Sequence, residues 1–246
     1  MSRGTQVNWE PLPFRRTYTR PTSQPATIQE IPLGNNAESG DESFALDQLR
    51  GLVQKIYVPG HRGGHRYIAF SSVEPTGVRP GLSARIGKIL AQQVSESVCV
   101  VEADREAKLL HELVAPNAQE TAGFSAPLSG DLTIRVERNL WLCPATRFLR
   151  EDDWTPQADV VRNRMSRLRR EFGYLVIHAP ALGVGEAATL MGQLSDGLVL
   201  VLEAHVTRRA TAAHACDILE TMGIPLMGTV LDQRTFPVPQ ALYRRL

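Results

Sequence analysis

Six short apolar runs, at 67–71, 98–102, 140–143, 174–178, 198–202 and 226–231, leave this chain few folds to choose from. They are continuous rather than alternating, the pattern of parallel strands covered on both faces. Helical patterns at 82–94, 105–114, 158–172, 186–195 and 207–222 separate most of them. Alternating strands and helices predict an α/β fold: a doubly wound, mainly parallel sheet with helices on both faces. A further helical stripe, Phe44, Leu46, Leu49, Leu52, Val53 and Ile56, comes first, and a Gly-rich breaker at 59–65 follows it. In such sheets ligands sit beyond the carboxyl ends of the strands, so those ends are where chemistry is sought.

The chain has 246 residues, 43% of them hydrophobic, enough for one domain of ordinary size with a tail. Residues 1–43 are rich in Pro, Thr, Gln, Asn, Ser and Gly and read as a disordered or loosely attached N-terminal tail. Residues 44–246 read as the α/β domain. Arg15, Arg16 and Arg20 in the tail read as solvated. A net charge of +1 gives no support for a nucleic-acid partner or a membrane-surface role. Cys99, Cys143 and Cys216 have no zinc or CxxC spacing, and the expectation is reduced core thiols in a cytoplasmic protein. No stretch approaches a membrane span, and the N-terminus carries no apolar signal core.

Three strand ends carry candidate chemistry. The first is the loop 73–81, between a buried strand and an amphipathic helix. This is the layout of a P-loop, in which glycines let backbone N–H groups wrap phosphates, a Lys reaches the β/γ oxygens and a Ser or Thr hydroxyl holds Mg²⁺. The second is Val100-Val-Glu-Ala-Asp104, a strand ending in two carboxylates, and the third is Leu175-Val-Ile-His-Ala-Pro-Ala181. Asp104 precedes a helical pattern and reads equally as an N-cap or as a relic of a hydrolytic site. His178 reads as a strand-end histidine with a satisfied hydrogen bond, ahead of a metal ligand. His61 and His65 have ligand-like separation but sit in a glycine-rich breaker, which reads as a loop. The arginines at 162, 164, 167, 169 and 170 read as a solvated face ahead of a docking patch. Leu182-Gly-Val-Gly185 is too short for a dinucleotide fingerprint.

The order and spacing of these segments resemble the cytoplasmic ATPase module of bacterial tyrosine kinases of capsule and exopolysaccharide synthesis, a group related to the MinD/ParA ATPases. That family's loop reads T-S-x-x-P-G-E-G-K-S-T. Ser71, Ser72 and Pro75 match it, whereas Thr76, Gly77, Val78, Arg79, Pro80 and Gly81 stand at its G-E-G-K-S-T. Its V-D-A-D motif, followed by a Leu-His pair, corresponds to Val101-Glu-Ala-Asp104 and Leu110-His111. Its Y-V-I-I-D-T-P-P corresponds to Tyr174-Leu-Val-Ile-His-Ala-Pro-Ala181, with His178 at the acidic position. Gly123-Phe-Ser-Ala-Pro-Leu-Ser-Gly-Asp-Leu132, Asn139-Leu-Trp-Leu-Cys-Pro-Ala145, Leu194-Ser-Asp-Gly-Leu198 and Thr207-Arg-Arg209 resemble further family segments. The resemblance runs from about residue 44 to 231.

The departures fall on the catalytic letters. Pro80 offers neither an N–H nor a hydroxyl. Thr76 and Val78 resist the positive φ that a phosphate nest often needs. Arg79 keeps a charge without the geometry of Lys. Glu102 and Asp104 keep their acids, and His178 cannot replace a magnesium-supporting carboxylate. The resemblance therefore implies a degenerate relative with relic positions Glu102, Asp104 and His178. It implies a regulatory or binding role beside a membrane polysaccharide co-polymerase or another exopolysaccharide-synthesis protein, which would recruit the chain to the inner face of the plasma membrane. No cofactor is expected; ATP and Mg²⁺ enter only if the site works as a kinase or ATPase. A homo-oligomer is an open assembly state. Tyr243 is the single candidate phosphoacceptor in the C-terminal segment. Two other readings stay open: a weakly active tyrosine kinase, and a MinD/ParA-like positioning protein. Against the second, Glu74 lies in the region of that group's signature Lys.

Overall fold

The computed structural model describes residues 29–30, 39–57, 65–74, 78–107, 109, 113, 132–149, 158–183 and 186–233. The strands there are β1 (Gln29–Glu30), β2 (Tyr67–Ser72), β3 (Val98–Glu102), β4 (Ile134–Glu137), β5 (Leu140–Cys143), β6 (Tyr174–His178), β7 (Gly197–Glu203) and β8 (Leu226–Asp232). The helices are α1 (Ser39–Tyr57), α2 (Pro80–Gln93), α3 (Ala145–Phe148), α4 (Ala158–Glu171), α5 (Glu186–Gln193) and α6 (Arg209–Thr221). Each apolar run is a strand, displaced by at most a residue or two at its ends. Most of the helix expected at 105–114 lies outside the described residues, although Leu109 and Leu113 are helical and buried.

The strands form one sheet in the order β1-β8-β7-β2-β6-β3-β5-β4. All neighbours run parallel except β4 and β5. Strand β2 lies between β6 and β7, so the chain departs to one side through β3 and returns to the other through β7. This is the switch point at which a doubly wound sheet opens a crevice beyond its carboxyl edge.

Side-chain alternation along the strands divides the core. Ile68 and Phe70 of β2, Val98 and Val100 of β3, and Val176 of β6 pack with α1 and α2 through Leu49, Val53, Leu82, Ile86 and Leu90. Ala69, Cys99, Val101, Leu175 and Ile177 face the other way, against Val161, Met165 and Leu168 of α4, Ala188 and Met191 of α5, and Leu219 of α6. All three cysteines are free; Cys99 and Cys143 are buried as expected, whereas Cys216, also expected in the core, is partly exposed on α6. Burial pushes the Cys143 thiol up to about 12 and that of Cys99 well above its ordinary range, so both stay protonated.

Some elements were not anticipated. Strand β4, Ile-Arg-Val-Glu, alternates half-buried and exposed positions as an antiparallel edge strand does. The turn between β4 and β5 places Asn139 where its Nδ2 meets the carbonyls of Val94 and Glu96 at 3.0 and 2.8 Å, satisfying the chain just after α2. Two elements also begin within the segment read as a tail, 1–43. Helix α1 starts at Ser39, ahead of its apolar stripe. Gln29 and Glu30 pair with Val230 and Leu231 at the free edge of β8. The rest of the segment read as a tail, 1–28 and 31–38, lies outside the described residues.

Gly87 sits where α2 crosses β3. A Cβ there would stand 2.4 Å from Val100 Cγ2, on a stiff branched side chain inside the core. Ala is the better helix former by about 1 kcal/mol, but overpacking a core costs about 1–3 kcal/mol. Gly87→Ala is therefore expected to lower the urea midpoint despite its helix propensity, and Gly87→Val to lower it further. An unchanged or raised midpoint would show that α2 can shift away from β3.

Candidate functional site

The three candidate segments meet at one edge of the sheet. Glu102 and His178 are cross-strand neighbours in the β3–β6 register, and His178 is also opposite Phe70 of β2. The loop after β2 leaves from the same edge. It is tied to its neighbours by Ser71 Oγ–H donating to the Pro180 carbonyl at 2.6 Å, Leu182 N–H to the Ser72 carbonyl at 2.9 Å, and Val73 N–H to the Val201 carbonyl at 3.3 Å. Pro75, Thr76 and Gly77 lie outside the described residues, as do His61, His111 and Tyr243. His65 is exposed.

Helix α2 begins at Pro80, the first helical position, where a missing N–H is tolerated and φ is preset. Arg79 is its N-cap in extended conformation, without a side-chain cap, and its carbonyl accepts from Leu82 N–H at 3.0 Å. Val78 is buried in the α1/α2 core. The guanidinium of Arg79 reaches across the edge to β8, its Nε 3.9 Å from Asp232 Oδ2. The cation standing at the Lys position is thus engaged with a carboxylate of its own chain.

Glu102 has a structural duty. Its Oε1 accepts from Leu109 N–H at 2.6 Å and its Oε2 from Ala145 N–H at 2.9 Å. One buried carboxylate therefore ties the segment after β3 and the start of α3 to the end of β3. Asp104 is partly exposed, and its Oδ1 accepts from Glu106 N–H at 3.0 Å in a local turn.

His178 is fully buried. Its Nδ1 and the Ser83 hydroxyl of α2 are 2.9 Å apart, a hydrogen bond whose direction follows the imidazole tautomer. Its Nε2 has no hydrogen-bond partner among the described residues. Burial lowers its pKa from an ordinary 6.5 to about 4, against a smaller opposing pull from Asp104. At neutral pH this is an uncharged ring wedged between the sheet and α2. One nitrogen is partnered and the other is not, among the described residues.

Between the carboxyl ends of β2, β7 and β8 lies a cavity of about 250 Å³, lined by Ser72, Glu74, Arg79, Val201, Glu203, Asp232 and Gln233. Gln233 Nε2 donates to Glu203 Oε1 at 3.0 Å, and Gln233 N–H to Asp232 Oδ1 at 2.8 Å. Gln233 has a φ of 60° and His205, in the turn after β7, a φ of 64°, both in the left-handed region that non-glycine residues rarely occupy. Burial raises the Asp232 carboxyl above its ordinary range, opposed by the Gln233 N–H and by Arg79.

Sequence reasoning missed Ser83, Glu203, Asp232 and Gln233. Two of these had a signal: Glu203 and Asp232 are the residues that directly follow the apolar runs 198–202 and 226–231, as Glu102 closes 98–102. The arginine-rich helix α4 is not simply a solvated face. Arg169 donates to the Leu194 carbonyl at 2.6 Å with its guanidinium 4.6 Å from the Tyr67 ring centre, Arg164 donates to the Phe148 carbonyl, and Arg167 pairs with Glu171. Among the described residues no helix is long and apolar enough to cross a membrane.

No protein-family model matches the chain, and no curated protein matches it. Solved structures do. The chimerical protein CapA2B2 aligns at TM-score 0.62 with 16% identity, over 86% of this chain and 96% of that one. The kinase domain of the Escherichia coli tyrosine kinase ETK aligns at TM-score 0.63 with 15% identity, over 87% and 94%. The VpsO kinase domain aligns at 0.57 with 14% identity, over 80% and 100%. At these identities the similarity establishes a shared α/β architecture across most of each chain.

Two outcomes test the roles assigned here. Glu102→Ala leaves two backbone N–H groups without their acceptor and should cost about 2–4 kcal/mol, with Glu102→Gln milder, by chemical denaturation. For His178, the unfolded chain takes up a proton near pH 6.5 and the folded chain only near 4. The unfolded state binds more protons in that window, so stability falls as pH drops from 6.5 towards 4, by about 3 kcal/mol in total. His178→Asn should remove this share of the slope, and equal slopes in both proteins would contradict the assignment.

Proposed function

We propose that the chain is a catalytically degenerate relative of the exopolysaccharide tyrosine kinases. In this reading it acts as a regulatory or binding module in polysaccharide synthesis or export, in the cytoplasm beside a membrane co-polymerase. The observation that carries the reading is the commitment of the motif residues to the protein itself. Arg79 pairs with Asp232, Glu102 holds two backbone N–H groups, and His178 is a buried neutral ring against Ser83. The architecture shared with the ETK and VpsO kinase domains supports the family, and the sequence segments quoted above support it further.

The residues present do not fit a magnesium nucleotide. At the start of α2, where a phosphate would need N–H donors, Pro80 has none. Magnesium wants carboxylate oxygens in near-octahedral array, whereas the acidic position holds an imidazole with an orphaned Nε2. The cavity of about 250 Å³ is also below the usual range of about 300–1,000 Å³ for ligand pockets.

The purified protein is therefore expected not to bind Mg-ATP tightly and not to phosphorylate itself. Each lost phosphate-directed hydrogen bond is worth on the order of 1.5–3 kcal/mol, so two losses weaken binding about a hundredfold or more. Calorimetric titration decides the matter: micromolar binding of Mg-ATP would overturn the reading in favour of a weakly active kinase or ATPase. The companion variant combines Thr76→Gly, Val78→Gly, Arg79→Lys, Pro80→Ser, Gly81→Thr and His178→Asp. Gain of nucleotide binding in that variant, with its circular dichroism unchanged, is the outcome expected of a decayed site.

A further inference from the structure

We propose that two copies of this chain associate through the outer face of α6, with the two helices antiparallel about a two-fold axis. The contact uses no residue of the loop 73–81, β3 or β6, and stands apart from the nucleotide reading.

Helix α6 buries Ala215 and Leu219 against the sheet. Its opposite face, with Arg209, Ala210, Ala213, Asp217 and Glu220, is exposed. Residues 209, 213 and 220 share one line along the helix axis, with 210 and 217 beside it. The charges on this face oppose the dipole of their own helix. Arg209 stands in the first turn, where a cation is disfavoured, and Glu220 in the last, where an anion is. No acid in the first turn and no base in the last offsets them. Asp217 and Glu220 are, in addition, like charges one turn apart. Among the described residues, Arg209, Asp217 and Glu220 have no ion pair.

A basic first turn and an acidic last turn on one face are complementary to a reversed copy of themselves, which is what a two-fold interface requires. In the register that sets Arg209 beside Glu220 of the partner subunit, Ala213 meets Cys216 of the partner subunit, and symmetry repeats both contacts. The small side chain of Ala213 near the centre leaves room for the two backbones to approach. The apolar surface fits the same register. The exposed large apolar side chains among the described residues are Val206 at 51%, Met222 at 49% and Leu226 at 36%, and all three flank this helix. Val206 precedes its first turn and Met222 follows its last, so the antiparallel register brings Val206 of one copy level with Met222 of the other. A helix of 13 residues is about 20 Å long, so the contact belongs to the small, transient class below about 1,200 Å². The dimer is therefore weak, and salt weakens it further.

Sedimentation velocity of the full chain at low salt, without nucleotide and from about 1 µM to about 1 mM, tests the interface. A monomer–dimer equilibrium is expected. Arg209→Glu and Glu220→Arg should each weaken it by about tenfold or more, since each sets like charges against one another across the axis. Both substitutions give their helix end the charge its dipole favours, so an unstable helix would not account for the loss. Mixing the two variants should restore dimers, because each supplies the charge that the other has reversed. A chain that stays monomeric at every concentration leaves α6 to some other occupant and overturns the interface. A dimer indifferent to both substitutions places the contact elsewhere and also overturns it, as does a mixture no more associated than its components.

Discussion

Ile68, Ala69 and Phe70 of β2 have no exposure to solvent, and the need to cover both faces of that strand organises the rest of the chain. A strand buried on both sides must have helices above and below it and hydrogen-bonded strands at both edges. Helices α1 and α2 answer the first face, and α4, α5 and α6 the second. Strands β6 and β7 complete the backbone pairing of β2. Polar side chains are then excluded from the strand bodies and gather at the ends. The crevice at the carboxyl edge follows from the packing whatever the edge is used for.

The fate of the strand-end residues follows from the same dryness. Near β3 and β6 the edge is closed, and a charge there survives only where it is fully satisfied. Glu102 meets that condition with two backbone N–H groups, which makes its carboxylate a clamp. His178 meets it by staying neutral and bonding Ser83. A carboxylate at residue 178 would need compensation from a metal or a cation that this edge does not offer, so imidazole is compatible with the burial where aspartate is not.

The strands and most helices were legible because burial on both faces writes a continuous apolar run, and each of those runs is a strand. What escaped notice had a weaker signature. Strand β4 is four residues long with two apolar positions, and α3 is a single turn. The early start of α1 escaped because residues 39–43 carry no apolar period in the sequence. At the site, the strand-end rule points to Glu102 and His178, which are register neighbours at the carboxyl edge. Asp232 and Glu203 obey the same rule but stood outside the resemblance that drew the eye elsewhere. Ser83 carried no signal, since its role exists only through contact with a residue 95 positions away.

The sign of the charge at the edge is the deeper reason to separate fold from activity. A carboxylate about 6 Å from a phosphate oxygen costs about 3 kcal/mol per charge pair at an effective dielectric of about 20. Arg79 can return a similar amount, but it is already shared with Asp232. Glu74 and Glu203 then stand unopposed by a second cation in the lining of the cavity. Upward titration of Asp232 relieves only one of the three acids. The acids of this lining therefore work against a polyphosphate. Similarity of architecture at this level is therefore a statement about the fold and not about a ligand.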